Sequence, residues 1–126
     1  MRFMCIYRPA DTGKLEDGLP PTQDEVTEMG KLIGDMIKAG VLLATDGLLP
    51  SSRGARVRLS GGKFTVIDRR FTEAKELIAG FAIIRVGSNA EAIEWGKRFL
   101  KIAGDGESEI RLMWDSPAFP PERSAA

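Results

Sequence analysis

The chain has 126 residues, 43% of them hydrophobic and 29% charged, with 18 basic residues balanced by 18 acidic ones and no histidine. That is the size and make-up of one globular domain around a single core, and zero net charge gives no overall field towards nucleic acid or an anionic membrane, so neither partner is expected. Without histidine there is no Ser–His or Cys–His catalysis and no zinc held by cysteine and histidine, so proton transfer falls to carboxylates, lysine or the single tyrosine.

Cys5 is the sole cysteine, which rules out an intramolecular disulfide, and its apolar surroundings predict a buried, inert thiol suited to a reducing cytoplasm. No Asp-rich calcium loop is present, and no metal or cofactor is expected. Phe3–Tyr7 meets Arg8 and Pro9 too soon for a signal-peptide core or a membrane span, and reads as a strand buried on both faces. Ala10–Pro21, with its Asp, Gly and Pro residues, reads as a surface loop.

Thr22 and Glu25 have capping-box spacing and open a predicted helix from about Gln23 to Ala39, with Val26, Met29, Ile33 and Ile37 on its apolar stripe. Lys38 suits its last turn and Gly40 its left-handed stop, while Gly30 and Gly34, four apart, imply close packing on a sheet. Val41–Thr45 predicts a short strand, Asp46-Gly47 a turn, and Leu48–Gly54 a loop. Arg56–Leu59 and Phe64–Ile67 flank Gly61-Gly62 as a hairpin, with Arg56 and Arg58 on a solvated side.

Phe81–Val86 predicts a central strand with Phe81, Ile83 and Arg85 opposite Ala82, Ile84 and Val86. Ser88 and Glu91 cap a second helix that buries Ala92, Trp95, Phe99 and Ile102 and ends near Gly104. Glu109–Asp115 alternates as a last strand, with Ile110, Leu112 and Trp114 on one face. Ser116–Ala126, with three prolines, reads as an extended tail beyond a single domain of residues 1–115. Two helices on one face of a mainly antiparallel sheet follow from this order: an α+β fold of ferredoxin-like type with an extra hairpin.

Six charged residues crowd between hairpin and central strand, in Asp68-Arg69-Arg70-Phe71-Thr72-Glu73-Ala74-Lys75-Glu76. If they converge in a cleft, Asp68 or Glu73 is the candidate base and Arg70 the clamp for a small anionic ligand. Phe71, Lys75 and Glu76 join them as candidate binding residues, as do Asp46 and Arg53 from a neighbouring loop. The structural alternative is that Asp68 caps the turn, Glu73, Lys75 and Glu76 make ion pairs, and Phe71 plugs the core.

Continued through Leu77-Ile78-Ala79-Gly80-Phe81, the stretch resembles the DGPF motif of the YCII-related family, with its ETKE-like run and glycine–aromatic strand start. Ala39-Gly40-Val41, Gly47-Leu48, Ala92-Ile93-Glu94-Trp95 and Glu109-Ile110-Arg111 also fall where similar proteins carry like residues. The resemblance implies a ferredoxin-like domain that pairs through its sheets into a dimeric α+β barrel, with a cleft beside the DGPF loop. Some relatives are thought to be small-molecule enzymes using a histidine–aspartate pair, and others accompany sigma factors without a settled activity. Here Arg69 and Arg70 replace glycine and proline, and that histidine does not exist. Two functions follow: an isomerase or lyase acting on an anionic metabolite, or a non-catalytic dimeric ligand-binding or accessory module.

Overall fold

The computed structural model describes residues 1–71, 73 and 76–115. β1 (Arg2–Pro9), α1 (Thr12–Glu16), α2 (Gln23–Lys38) and β2 (Leu42–Gly47) lead to a single 3-10 turn at Ser51–Arg53. β3 (Arg56–Ser60), β4 (Lys63–Ile67), β5 (Gly80–Arg85), α3 (Asn89–Ala103) and β6 (Gly106–Leu112) follow. β2, β5, β1 and β6 lie side by side in that order, each antiparallel to its neighbour, and β3–β4 forms a separate two-stranded ribbon. This is the α+β, ferredoxin-like arrangement that the element order predicts.

Register decides which side chains meet the helices. Phe3 pairs with Ile84 and Cys5 with Ala82, so these residues and Tyr7 share one sheet face, while Met4, Ile6, Phe81 and Ile83 share the other. Phe3, Leu32, Met36, Val41, Ile84, Val86 and Ala92 form the buried core, with Cys5, Met29, Trp95, Phe99 and Ile110 packed against it. Burying Ile84 alone is worth about 2–3 kcal/mol. The alternation predicted for β5 therefore holds. β1 is not buried on both faces as expected, because the helices cover one face only and leave Met4 and Ile6 half-buried on the other.

The capping box at Thr22 is complete: Thr22 Oγ1 accepts from the Glu25 N–H, and the Glu25 carboxylate accepts from the Thr22 N–H. Within α2 the buried stripe is Leu32 and Met36 with Met29 and Ile33 beside them, whereas Val26 and Ile37, expected inside, are exposed. The overlapping three- and four-residue spacings permit both stripes, and only the angle at which the helix meets the sheet selects one. Gly30 and Gly34 do not mediate close packing among the described residues either, since none of them beyond the helix itself approaches within 4 Å of where a Cβ would stand.

Three further expectations change. The segment read as a loop at Ala10–Pro21 holds α1, capped by the Asp11 carboxylate, and five residues are too few to show a helical period. Asp46-Gly47 is not a turn but the end of β2, paired with Phe81 and Gly80 after a bulge near Leu42. Trp114, expected to share a strand face with Ile110 and Leu112, lies past the end of β6 and is 74% exposed in the single chain. The tail at 116–126 lies outside the described residues. Among the described residues no helix is long and apolar enough to cross a membrane.

Candidate functional site

The loop between β4 and β5 is held by contacts to residues far away in sequence. Arg70 Nη2 donates to the Glu16 carbonyl at 2.6 Å and stands 3.6 Å from the Asp17 carboxylate. Glu16 itself is buried, and its two carboxylate oxygens accept from the Ser51 N–H at 2.8 Å and the Ser51 hydroxyl at 2.5 Å. The same hydroxyl accepts from the Phe71 N–H at 2.9 Å. α1, the 3-10 turn and the loop are thereby joined through one serine.

Phe71 is half-buried beneath the Arg56 guanidinium, 3.8 Å above the ring centroid, and Arg56 also pairs with Glu76 at 2.6 Å. A guanidinium on an aromatic face, tied to a carboxylate on its other side, anchors the base of the β3–β4 ribbon. Arg56 is thus not simply solvated, as its alternation with Val57 suggested. Arg58 is exposed.

Asp68 and Glu73 are placed differently. Both are exposed, and among the described residues their carboxylates make no hydrogen bond or ion pair. Among the described residues no backbone N–H of the turn donates to Asp68. Arg53 is exposed in the 3-10 turn, and Lys75 lies outside the described residues. The structure therefore brings together Arg70, Phe71 and Glu76, each with a partner from another element, and leaves Asp68, Glu73 and Arg53 in solvent.

A cavity of about 400 Å³ lies on the helix side of the sheet. Its floor is Cys5, Tyr7, Leu42, Thr45, Ala82 and Ile84, and its walls are Met29, Leu32, Ile33 and Met36 of α2 with Trp95, Gly96 and Phe99 of α3. Gly96 leaves room on the α3 side, where a Cβ would come within 3.2 Å of Ile110 Cδ1. Ala79 and Gly80 also line it, so the loop leads straight into the cavity wall. Of the predicted site residues that are described, Asp46 alone lines the cavity, and its pairing with Phe81 puts its side chain on the open sheet face, so its backbone forms the rim.

With the Asp46 side chain on the other face, the polar side chains of this lining among the described residues are neutral. Thr45 Oγ1 donates to the Phe81 carbonyl at 3.0 Å, and the Tyr7 hydroxyl makes a long bond of 3.4 Å to the Ala103 carbonyl while its ring meets Phe99 edge-on at 5.0 Å. Burial pushes the Cys5 thiol above its ordinary 9.0. Burial, and then the negative charges of Asp105 and Glu25, push the Tyr7 phenol above 10.0. Arg98 lies over the Trp95 ring at 4.8 Å and pairs with Asp35 of α2 at 2.6 Å, so the two helices are joined outside the cavity.

Sequence reasoning looked for charge and so missed this cavity. Its signal was present as two coincident patterns: the odd-numbered residues of β1 and the Met29, Leu32, Ile33 and Met36 stripe. Glu16 and Ser51 carried no signal, since neither lies in a periodic segment.

The family model described as YCII-related domain matches residues 1–114. No curated protein matches the chain.

Proposed function

The chain belongs to the YCII-related family, and on that premise we propose that it is a small-molecule-binding protein whose ligand occupies the cavity between the sheet and helices α2 and α3. The observation that carries this reading is the lining, which is apolar and aromatic with neutral hydroxyls and a thiol. Water in such a space finds few partners, whereas a ligand of matching shape gains the full apolar contact. An anion among Met29, Leu32, Trp95 and Phe99 would lose hydration without meeting a cation among the described residues, so the ligand is neutral. A compact, mainly apolar molecule with one hydroxyl or carbonyl fits, its polar atom meeting Tyr7, Thr45 or Ser108.

Binding is preferred to turnover because proton transfer at neutral pH needs a group poised near 7, and burial moves Cys5 and Tyr7 further from it. The competing reading is an isomerase or lyase with Asp68 or Glu73 as base and Arg70 as clamp, and it makes opposite predictions.

A thermal-shift screen separates them. Neutral lactones, phenols and alcohols should raise Tm, and matched carboxylates and phosphates should not. At a ligand concentration 100 times its Kd the stabilisation is about 2.7 kcal/mol. Ala82→Phe, which fills the cavity floor, should abolish the response, and Asp68→Asn should retain it. A shift confined to anions and lost in Arg70→Ala would end the cavity reading in favour of the loop.

A further inference from the structure

The cavity has a graded floor. On its helix side β5 presents Gly80, Ala82 and Ile84 in turn, and β2 presents Gly47, Thr45 and Leu42 beside them. Both strands therefore carry their smallest residues at the end where the loop enters and their bulkiest at the other, where Ile84 is 1% exposed. Glycine and alanine fill less of the gap beneath the helices than leucine and isoleucine do, and the space remains over Gly80 and Ala82. Thr45 pairs with Ala82 and so stands beside that space.

Three hydroxyls line the cavity, and the position of each proton decides what it can offer a ligand. Thr45 Oγ1 lies 3.0 Å from the Phe81 carbonyl oxygen, and a carbonyl only accepts, so the single threonine proton is committed there. Its lone pairs are left. The Tyr7 hydroxyl faces two further carbonyls, of Ala103 at 3.4 Å and Asp105 at 3.5 Å, and is drawn towards the end of α3. Ser108 stands under α3, with its Oγ 3.9 Å from where a Cβ on Gly96 would be. Thr45 is thus the hydroxyl beside the small floor residues, and it is an acceptor.

The geometry points to Thr45 as the residue that selects the ligand of this cavity, a role that rests on the cavity reading proposed above. It accepts a hydrogen bond from a hydroxyl on the ligand, so that an apolar alcohol or phenol is taken in preference to the ketone, ester or ether of the same shape. The ligand's apolar body then lies over Ala82 towards Ile84, with its hydroxyl at the β2 side. A ketone or ether oxygen in the same place sets its lone pairs against those of Thr45, and neither is satisfied unless Thr45 gives up Phe81. The sign of the preference is informative. Dehydrating an alcohol costs more than dehydrating its methyl ether, because a donor is lost as well, so a cavity without an acceptor would favour the ether.

Isothermal titration calorimetry at neutral pH, paired with thermal shift, tests this with matched probes: indanol, indanone and methoxyindane, and naphthol with methoxynaphthalene. The wild type should bind the hydroxyl member of each set about tenfold more tightly than its ketone or ether. Thr45→Val, which exchanges the hydroxyl for a methyl, should bring that ratio down to roughly one, whereas Thr45→Ser keeps the oxygen and should preserve it. Each ratio is taken within one protein, so a variant's loss of stability cancels. An ether or ketone bound as tightly as its alcohol overturns the selection and leaves the cavity reading standing, as does a preference that survives Thr45→Val. Binding of no probe, or binding that Ala82→Phe leaves intact, overturns the cavity reading and the selection with it.

Discussion

Gly80→Ala should be one of the more damaging single-methyl additions in the sheet. Gly80 opens β5 opposite Gly47, and a Cβ built on it would stand 2.7 Å from the Asp46 carbonyl oxygen and 3.3 Å from Gly47 Cα. Both are backbone atoms of β2, so no rotamer change relieves the contact, and the strands must separate or the methyl must strain. Overpacking of this kind costs about 1–3 kcal/mol, with rigid backbone neighbours favouring the upper half. Unfolding entropy for a chain of this length is about 0.26 kcal/mol/K, so Tm should fall by roughly 8–12 °C. Gly87→Ala is the control, because among the described residues nothing beyond its chain neighbours lies within 4 Å of its Cβ position, and it should shift Tm by less than about 2 °C. Gly34→Ala, equally open but inside α2, should raise stability by about 0.5–1 kcal/mol through helix propensity. The assay is thermal unfolding followed by circular dichroism on all four proteins. A Gly80→Ala protein melting within about 2 °C of wild type would refute the reasoning, and with it the steric explanation for a glycine before the aromatic residue at this strand start.

Three other outcomes follow from the same contacts. Cys5 should react with a thiol-specific disulfide reagent at least ten times more slowly in the native than in the denatured protein at pH 8, since burial holds the thiol above 9.0 and the thiolate is the reactive form; equal rates would contradict this. Hydrogen bonds from Arg111 and then Arg8 hold the Glu109 carboxyl below its ordinary 4.5. A depressed folded pKa means that the stabilisation is present above about 4.5 and is lost as pH falls through the lower folded value, so Glu109→Gln should flatten that part of the acid limb in urea midpoints measured from pH 3 to 7. Arg56→Ala removes both the stack on Phe71 and the pair with Glu76 and should cost about 1–2 kcal/mol, and Arg56→Lys should recover only part of it, as read by unfolding and by amide exchange in β3–β4.

The order of the strands and the two long helices, the capping of α2 and α3, the Gly61-Gly62 turn and the two faces of β5 were all legible in the amino-acid sequence. So was the family, from residues scattered between Ala39 and Arg111. The structural features share a physical cause: each depends on neighbours at most four positions apart, through a side chain bonding its own helix start, a glycine permitting positive φ, or a period of 2 or 3.6. The candidate site was legible only in part, because the charges from Asp68 to Glu76 announce a special loop without saying whom each will meet.

Tertiary structure decided those partners. Arg70 finds Glu16, 54 positions away, Phe71 finds Ser51, and the Asp68 and Glu73 carboxylates find no partner among the described residues. It also chose Leu32 and Met36 over Val26 and Ile37 as the buried side of α2, and so opened a cavity between elements whose separate patterns each looked like ordinary core. A local pattern specifies that a face is apolar. What that face is pressed against, and whether a gap remains there, follows from the packing of the whole chain.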